Sequence, residues 1–390
     1  MSGSIGEVQA HGMGTTLVRP DWAPIQLEEA NRLLVMYPQL GEALELVWHS
    51  PRPFSSATIA ETTAGRLFIK RHHQSVRDAE GLMEEHHLIA HLHSQGIPVS
   101  NIIVGAGGHT AFELDEWTYE IHRLAQGFDL YRDAVSWSPF LSVAHAHAAG
   151  ESLARMHLAA ESYTAPPRPP RMLVSSFSIF GSADPYAAMS SYIAERKALS
   201  DYMNTRSWKE DLESVLMPLH KRLAPWLKEL KPLWTHNDWH ASNLLWSNPA
   251  DLGNDLAWVE TIMDFGLSDR TNAVYDLATA LERNTIEWLA MDDSRRQDIT
   301  HPEQAAALLE GYESVRPLSS GESAALVAML PLVHVEFALS EIDYFIGIVG
   351  SLANADLAYD TFLIGHAKWF SEEAGKNFLD FLERRLLHVG

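Results

Sequence analysis

Thr235-His236-Asn237-Asp238-Trp239-His240-Ala241-Ser242-Asn243-Leu244-Leu245, followed by Thr261-Ile262-Met263-Asp264-Phe265-Gly266, is the stretch on which the reading of this chain turns. A carboxylate, Asp238, is followed five residues later by an amide, Asn243, and then by a short apolar run. A second apolar run ends in another carboxylate, Asp264, ahead of Phe-Gly. Apolar strands after the loop can bring Asn243 back toward Asp264. Their side-chain oxygens are hard donors of the kind that suits Mg2+, which takes few protein oxygens and keeps several waters.

This order of residue types fits phosphoryl transfer onto a hydroxyl. There a loop aspartate accepts the hydroxyl proton, and an asparagine five residues on ligates magnesium. An aspartate before Phe-Gly chelates the metal that bridges the nucleotide phosphates. Asp238, Asn243 and Asp264 fit these three roles in turn. Asp-Phe-Gly alone is also an ordinary turn after a strand, and either motif by itself is weak. Both together, in order and each beside an apolar run, carry the reading.

Upstream, the same chemistry asks for a strand lysine on the phosphates and a helix carboxylate to orient it. Lys70 closes the strand-like run Leu67-Phe68-Ile69-Lys70. In the helical stretch Asp78 to Ser94, Glu85 falls in angle between Ile89 and Leu92, whereas Glu84 lies further toward the polar side. A carboxylate on an apolar face is costly unless paired, and Lys70 is its natural partner. The competing reading makes Lys70 a solvated strand-end lysine and Glu85 a rim residue.

With these residues in view, the chain resembles the aminoglycoside phosphotransferase and choline kinase family, which shares the protein-kinase fold. His236-Asn237-Asp238 through Asn243, Asp264-Phe265-Gly266 and Tyr275-Asp276-Leu277-Ala278 are similar to its catalytic run. Gly96-Ile97-Pro98-Val99 and Leu153-Ala154-Arg155-Met156-His157 resemble its helix-to-strand turn and first large-lobe helix. The resemblance implies an α+β bilobal fold: a small mixed N-lobe with an antiparallel sheet, and a larger, mainly helical C-lobe. It implies an ATP or GTP site in which Lys70 touches the phosphates and backbone around Glu120 to His122 faces the nucleobase. It makes His236 and Asp276 supports of the catalytic loop. One departure stands out. The nucleotide-covering loop, Pro51-Arg52-Pro53-Phe54-Ser55-Ser56-Ala57-Thr58, has no glycine. Backbone N–H groups approach phosphates most easily without side chains, so Ser55 and Ser56 are expected to substitute by small size and hydroxyls.

About ten residues separate Gly266 from Tyr275-Asp276, too few for the activation segment that seats a peptide on a protein kinase. The expected activity is therefore a small-molecule kinase, with a nucleotide-binding pseudokinase as the alternative. The glycine-free loop favours that alternative; the presence of Lys70, Asp238, Asn243 and Asp264 argues against it. His240 is placed to contact substrate or phosphate, or to stabilise the loop. Within the apolar segment Leu332 to Ile348, Glu336, Glu341 and Asp343 either line an acceptor pocket or form the helix's polar face. Glu336 and Asp343, seven apart, share a side of that helix.

Composition narrows the classes further. The chain has 390 residues, 46% of them hydrophobic, and a formal net charge of −22. That charge would repel a nucleic-acid backbone and could favour a cationic, amine-bearing substrate, though it also serves solubility. There is no cysteine, which removes thiolate chemistry and fits a reducing compartment, so a cytoplasmic protein is expected. No leader and no membrane span is read from the apolar runs. Of 20 histidines, His87 and His91 sit a helical turn apart and read as a solvated face rather than a structural metal site.

The organisation expected is a loose lead-in over 1–22, a nucleotide-binding N-lobe over 23–125 and a helical C-lobe over 126–390, with a connector near Glu120 to Gln126. Pro166-Pro167-Arg168-Pro169-Pro170 reads as a stiff surface loop, and Ser247 to Asp255 as a surface hairpin insertion.

Overall fold

The computed structural model describes residues 8–9, 17–18, 21–50, 54–134, 137–248, 256–290 and 299–387. Most of the expected lead-in, residues 51–53 of the glycine-free loop and most of the Ser247 to Asp255 insertion lie outside them. The chain divides into two compact units. One comprises Met1–Ser136 with Leu244–Ser247 and Val259–Met263; the other holds Trp137–Asn243, Asn248–Trp258 and Asp264–Gly390.

After a short antiparallel pairing of Val8–Gln9 with Leu17–Val18, the first unit forms α1 (Leu27–Leu34), β1 (Ala43–His49), β2 (Ser56–Thr62) and β3 (Gly65–His73). It continues with α2 (Ala79–Ser94), β4 (Ala111–Leu114) and β5 (Trp117–Arg123). The five strands form one antiparallel sheet in the order β1-β2-β3-β5-β4. Its period-2 pattern turns Leu67, Ile69, Tyr119 and Ile121 into a core shared with Leu33, Leu34 and Tyr37 of the α1 region. Burial of each such side chain contributes about 1.5–3 kcal/mol. Asp78 caps α2 by accepting from Gly81 N at 2.7 Å, which fixes where that helix starts. Two expectations shift here. Ile102 to Val104 yields a single bridge from Ile102 to His122 rather than a strand. The last strand also runs through Arg123, so the connector begins after the sheet rather than at Glu120.

The second unit is mainly helical. It contains α3 (Val143–Ala160), a run of short helices between 185 and 229, and β6 (Pro232–Thr235). The chain then forms β7 (Leu244–Trp246) and β8 (Val259–Ile262), which cluster with the first unit, before β9 (Asp269–Asn272) and α4 (Ala273–Thr285). There follow α5 (Pro302–Val315), α6 (Ser320–Met329), α7 (Val335–Tyr344), α8 (Leu352–Leu357), α9 (His366–Trp369) and α10 (Glu373–Leu387). Helices α3 and α5 approach closely because glycines sit at their crossing. A Cβ on Gly150 would lie 2.0 Å from Leu308 O, and one on Gly311 would lie 2.0 Å from His147 O. Any larger residue would push the helices apart.

The helical run 320–349 is the most apolar long segment among the described residues. It is long and apolar enough to cross a membrane by length and composition, but 94% of its most apolar window is buried inside the protein. It is a core helix interrupted by a 3-10 turn at Leu330–Leu332, where Pro331 removes a backbone donor.

Candidate active site

Register explains how two distant ligand candidates leave the same end of a hairpin. Strands β7 and β8 pair antiparallel with Leu244 opposite Ile262. Asn243 precedes the first and Met263-Asp264 follows the second, so both emerge where the hairpin ends. Two of the loop residues have left-handed backbone: Asn237 at φ 61° and Asp264 at φ 58°. Asn and Asp tolerate this region better than other non-glycine residues, because their short polar side chains bond locally.

The loop is held from beneath by Asp276, fully buried in the first turn of α4. Its Oδ2 accepts from His236 N and its Oδ1 from Asn237 N, each at 2.8 Å. His157 of α3 lies 3.0 Å from Oδ2 through Nε2, and its Nδ1 lies 2.8 Å from the Tyr312 hydroxyl. Asn237 holds the loop from above: Nδ2 donates to Ser175 O at 2.8 Å, and Oδ1 accepts from Thr235 Oγ1 at 2.7 Å. The His236 ring packs on Phe265, centroids 4.7 Å apart, and meets Trp239 edge-on at 5.5 Å.

Asp238 lies at the centre, buried with a small exposed fraction. Arg283 Nη1 is 2.8 Å from its Oδ1, and Asn243 Nδ2 donates to its Oδ2 at 3.0 Å. His240 Nε2 is 3.6 Å from Oδ2, while Nδ1 of that ring lies 2.8 Å from Ser242 Oγ. Burial alone would raise the Asp238 pKa. The Arg283 charge, with His240 and His236, outweighs it and holds the carboxyl well below the usual range. The Asn243 amide is thereby oriented, with Nδ2 turned to Asp238.

Sequence reasoning missed two residues. Arg283, ten positions after Asp264-Phe265-Gly266 has passed into α4, has the spacing of an ordinary C-terminal helix arginine. Arg168 stands in the Pro-rich stretch read as a surface loop. Its flanking prolines are exposed, but Arg168 itself is buried. It donates to Ser268 O at 3.1 Å and Gly266 O at 3.4 Å, and its N–H donates to Asp269 Oδ1 at 2.8 Å. The stiff segment thus clamps the turn after Asp264.

In the first unit, Lys70 lies on β3, half-buried, opposite Ala57 and Glu120. Glu85 is buried on α2 with Arg77 Nε 3.6 Å from its Oε1. Glu120 lies on β5 between β3 and β4, so its main chain is part of the sheet. That corrects the expectation that it faces a nucleobase. Its carboxylate and the His122 ring instead form a buried cluster with His72 and His86. Ser56 is also corrected: it is inside β2, and its hydroxyl donates to Ala23 O at 2.9 Å. Ser55 precedes the strand, half-buried.

The acceptor-pocket expectation for Glu336 and Asp343 does not fit the contacts. Glu336 accepts from Ser178 N at 2.8 Å, Ser178 Oγ at 2.7 Å and Ile179 N at 3.0 Å, which fastens that turn to α7. Asp343 is buried with Arg196 Nε at 3.9 Å.

An antiparallel five-stranded sheet, a helical unit, and a braced loop carrying Asp238 and Asn243 ahead of Asp264 define a kinase-like phosphotransferase. The chain belongs to the phosphotransferase enzyme family, whose model matches residues 54–318. No curated protein matches it in sequence. Three solved structures share the fold. The microcompartment-associated aminopropanol kinase has TM-score 0.58 and 16% identity over 92% of this chain and 100% of that one. An amicoumacin kinase in complex with AMP-PNP, Ca2+ and Ami has TM-score 0.53 and 14% identity over 92% of each chain. An aminoglycoside phosphotransferase from Alicyclobacillus acidocaldarius has TM-score 0.51 and 15% identity over 94% of this chain and 98% of that one.

Proposed function

We propose that this enzyme transfers the γ-phosphoryl group of ATP or GTP to a hydroxyl of a small molecule, with Asp238 as the proton acceptor. The observation that carries the reading is the setting of Asp238: a buried carboxylate fixed by Arg283, Asn243 and His240 in a loop braced by Asp276. The acceptor oxygen bonds to the γ-phosphorus as the bond to the β,γ-bridging oxygen breaks. The nucleoside diphosphate leaves, and the hydroxyl proton passes to Asp238.

Arg283 keeps Asp238 ionised and weakly basic, so its first task is to accept a hydrogen bond from the hydroxyl and aim its oxygen. The proton moves late, in keeping with a loose transition state in which the nucleophile carries little new bonding. Asn243 Oδ1 and the Asp264 carboxylate are hard oxygen donors that fit Mg2+, and they would hold it. When bound there, Mg2+ neutralises charge on the β- and γ-phosphate oxygens. Lys70 is proposed to contact the phosphates, with Glu85 orienting it. The AMP-PNP in the amicoumacin kinase structure supports a nucleotide co-substrate.

Asp238→Asn is expected to lower kcat by roughly 10²- to 10⁴-fold with nucleotide affinity nearly unchanged. Asp264→Asn is expected to weaken Mg2+-nucleotide binding as well. Steady-state kinetics with a hydroxyl-acceptor panel, beside nucleotide titration, checks both. Retention of most activity by Asp238→Asn would remove Asp238 from this role.

A further inference from the structure

Among the described residues of the helical unit, one buried cluster has no part in the chemistry above. Glu282 lies on α4 next to Arg283, His334 caps α7, and His366 opens α9. All three are nine-tenths or more buried, and one ligand-type atom from each lies within 4.8 Å of the others. His366 Nδ1 is 3.3 Å and His334 Nδ1 is 3.5 Å from the same oxygen, Glu282 Oε1.

These separations exceed the 2.7–3.2 Å range of good N–H···O hydrogen bonds, and the atoms do not satisfy one another. Both Glu282 carboxylate oxygens and both His366 ring nitrogens are buried with no hydrogen-bond partner. A native core rarely leaves four such atoms together unless something else binds them. The separations match a different geometry. Ligands about 2.0–2.1 Å from a tetrahedral zinc ion lie about 3.3–3.4 Å from each other.

The far nitrogen of His334, Nε2, lies 3.8 Å from Glu341 Oε2, an ion-pair separation outside hydrogen-bond range, so that ring is not fixed from behind by a hydrogen bond. The His366 ring is stacked on Trp288 with centroids 3.8 Å apart, and Trp288 Nε1 donates to Glu282 O at 3.2 Å. These contacts hold ring and helix in place without using the inward-facing nitrogens. Trp137 meets both imidazole rings edge-on, and Phe362 meets His334 edge-on and His366 at a tilt. Two imidazoles and one carboxylate form a borderline nitrogen-oxygen donor set that favours zinc over magnesium.

We infer that Glu282, His334 and His366 form a second divalent-metal site, selective for Zn2+ or a similar transition metal and distinct from the Asn243–Asp264 pair. Three protein ligands leave the fourth position open to water or another ligand. A bound ion would tie α4, the helix that carries Arg283, to α7 and α9.

The test uses the full chain, stripped with chelator and held in excess Mg2+ to occupy the phosphotransfer site. Zn2+ is titrated against a competing chromophoric chelator, and Co2+ is added separately as a spectroscopic probe. One Zn2+ per chain and an intense visible Co2+ band of tetrahedral type are expected. Both should disappear in Glu282→Gln and in His366→Phe, the latter keeping the stack on Trp288. His87→Ala, on an exposed face, should leave Zn2+ binding unchanged. The proposal is overturned if the wild-type chain gives neither tight Zn2+ binding nor a visible Co2+ band. It is equally overturned if folded Glu282→Gln and His366→Phe bind Zn2+ as wild type does.

Discussion

Each unit buries one glutamate among histidines, and the two clusters are built differently. In the sheet unit, Glu120 has His86 and His122 each at 2.8 Å and His72 at 3.2 Å, with the other nitrogen of His86 2.8 Å from Thr110 Oγ1. In the helical unit, Glu282 has His334 and His366 at 3.5 and 3.3 Å. The first set is at hydrogen-bond distance and the second at ligand-to-ligand distance. Similar side chains thus give a polar staple across β3, α2 and β5 in one place and an unsatisfied donor set in the other. Residue type alone does not distinguish them; the spacing imposed by the backbone does.

The largest effect on stability is expected at Glu120. Glu120→Ala leaves three buried imidazoles without their common partner and should cost about 3–5 kcal/mol in denaturant unfolding, with or without chelator. A cost below about 1 kcal/mol would mean that the staple is not structural. The effect should also depend on pH. Burial opposes the Glu120 charge, but His122, with the His72 and His86 hydrogen bonds, outweighs it, so the folded-state pKa lies well below the ordinary value. A depressed carboxylate pKa contributes stability above the unfolded value of about 4.3, and that contribution is lost as pH falls toward the folded pKa. The stability gap between wild type and Glu120→Gln should therefore be full near neutrality and shrink below about pH 4. A gap that widened in acid would reverse the assignment.

A matched pair of substitutions compares the clusters directly. His86→Phe removes short contacts to Glu120 and Thr110 and should destabilise by about 1–3 kcal/mol. His366→Phe in chelated protein removes no described hydrogen bond and keeps the ring on Trp288, so it should stay within about 1.5 kcal/mol of wild type. Equal losses at both positions would erase the distinction. The smallest effect belongs to His87→Ala, where the exposed ring predicts a change within about 0.5 kcal/mol.

The sequence made the phosphotransferase architecture legible because its signals are local. Asp238 and Asn243 are five residues apart, Asp264 follows its own apolar strand, and Leu153-Ala154-Arg155-Met156-His157 falls within one helix, α3. What escaped depends on contacts between distant segments. Arg283 reaches Asp238 only because α4 packs against the loop, and Arg168 acquires its role by folding under Gly266 and Ser268. In α7, the choice of Glu336 and Asp343 followed a seven-residue spacing. His334 and Glu341 have the same spacing, and it is His334 that meets Glu282, with Glu341 3.8 Å from its other ring nitrogen. Periodicity identified the sides of that helix without showing which one met another helix's carboxylate. Ser56 was misread for a related reason: it belongs to β2, and its hydroxyl donates to Ala23 O.

Phosphoryl transfer with Asp238 as the proton acceptor is tested by 31P NMR with nucleotide, Mg2+ and a panel of small hydroxyl acceptors. A new phosphate-ester resonance is expected, formed together with nucleoside diphosphate, requiring Mg2+ and acceptor and lost in Asp238→Asn. Ester formation by Asp238→Asn at the wild-type rate, or failure of the wild-type chain to bind nucleotide with Mg2+, would contradict this assignment.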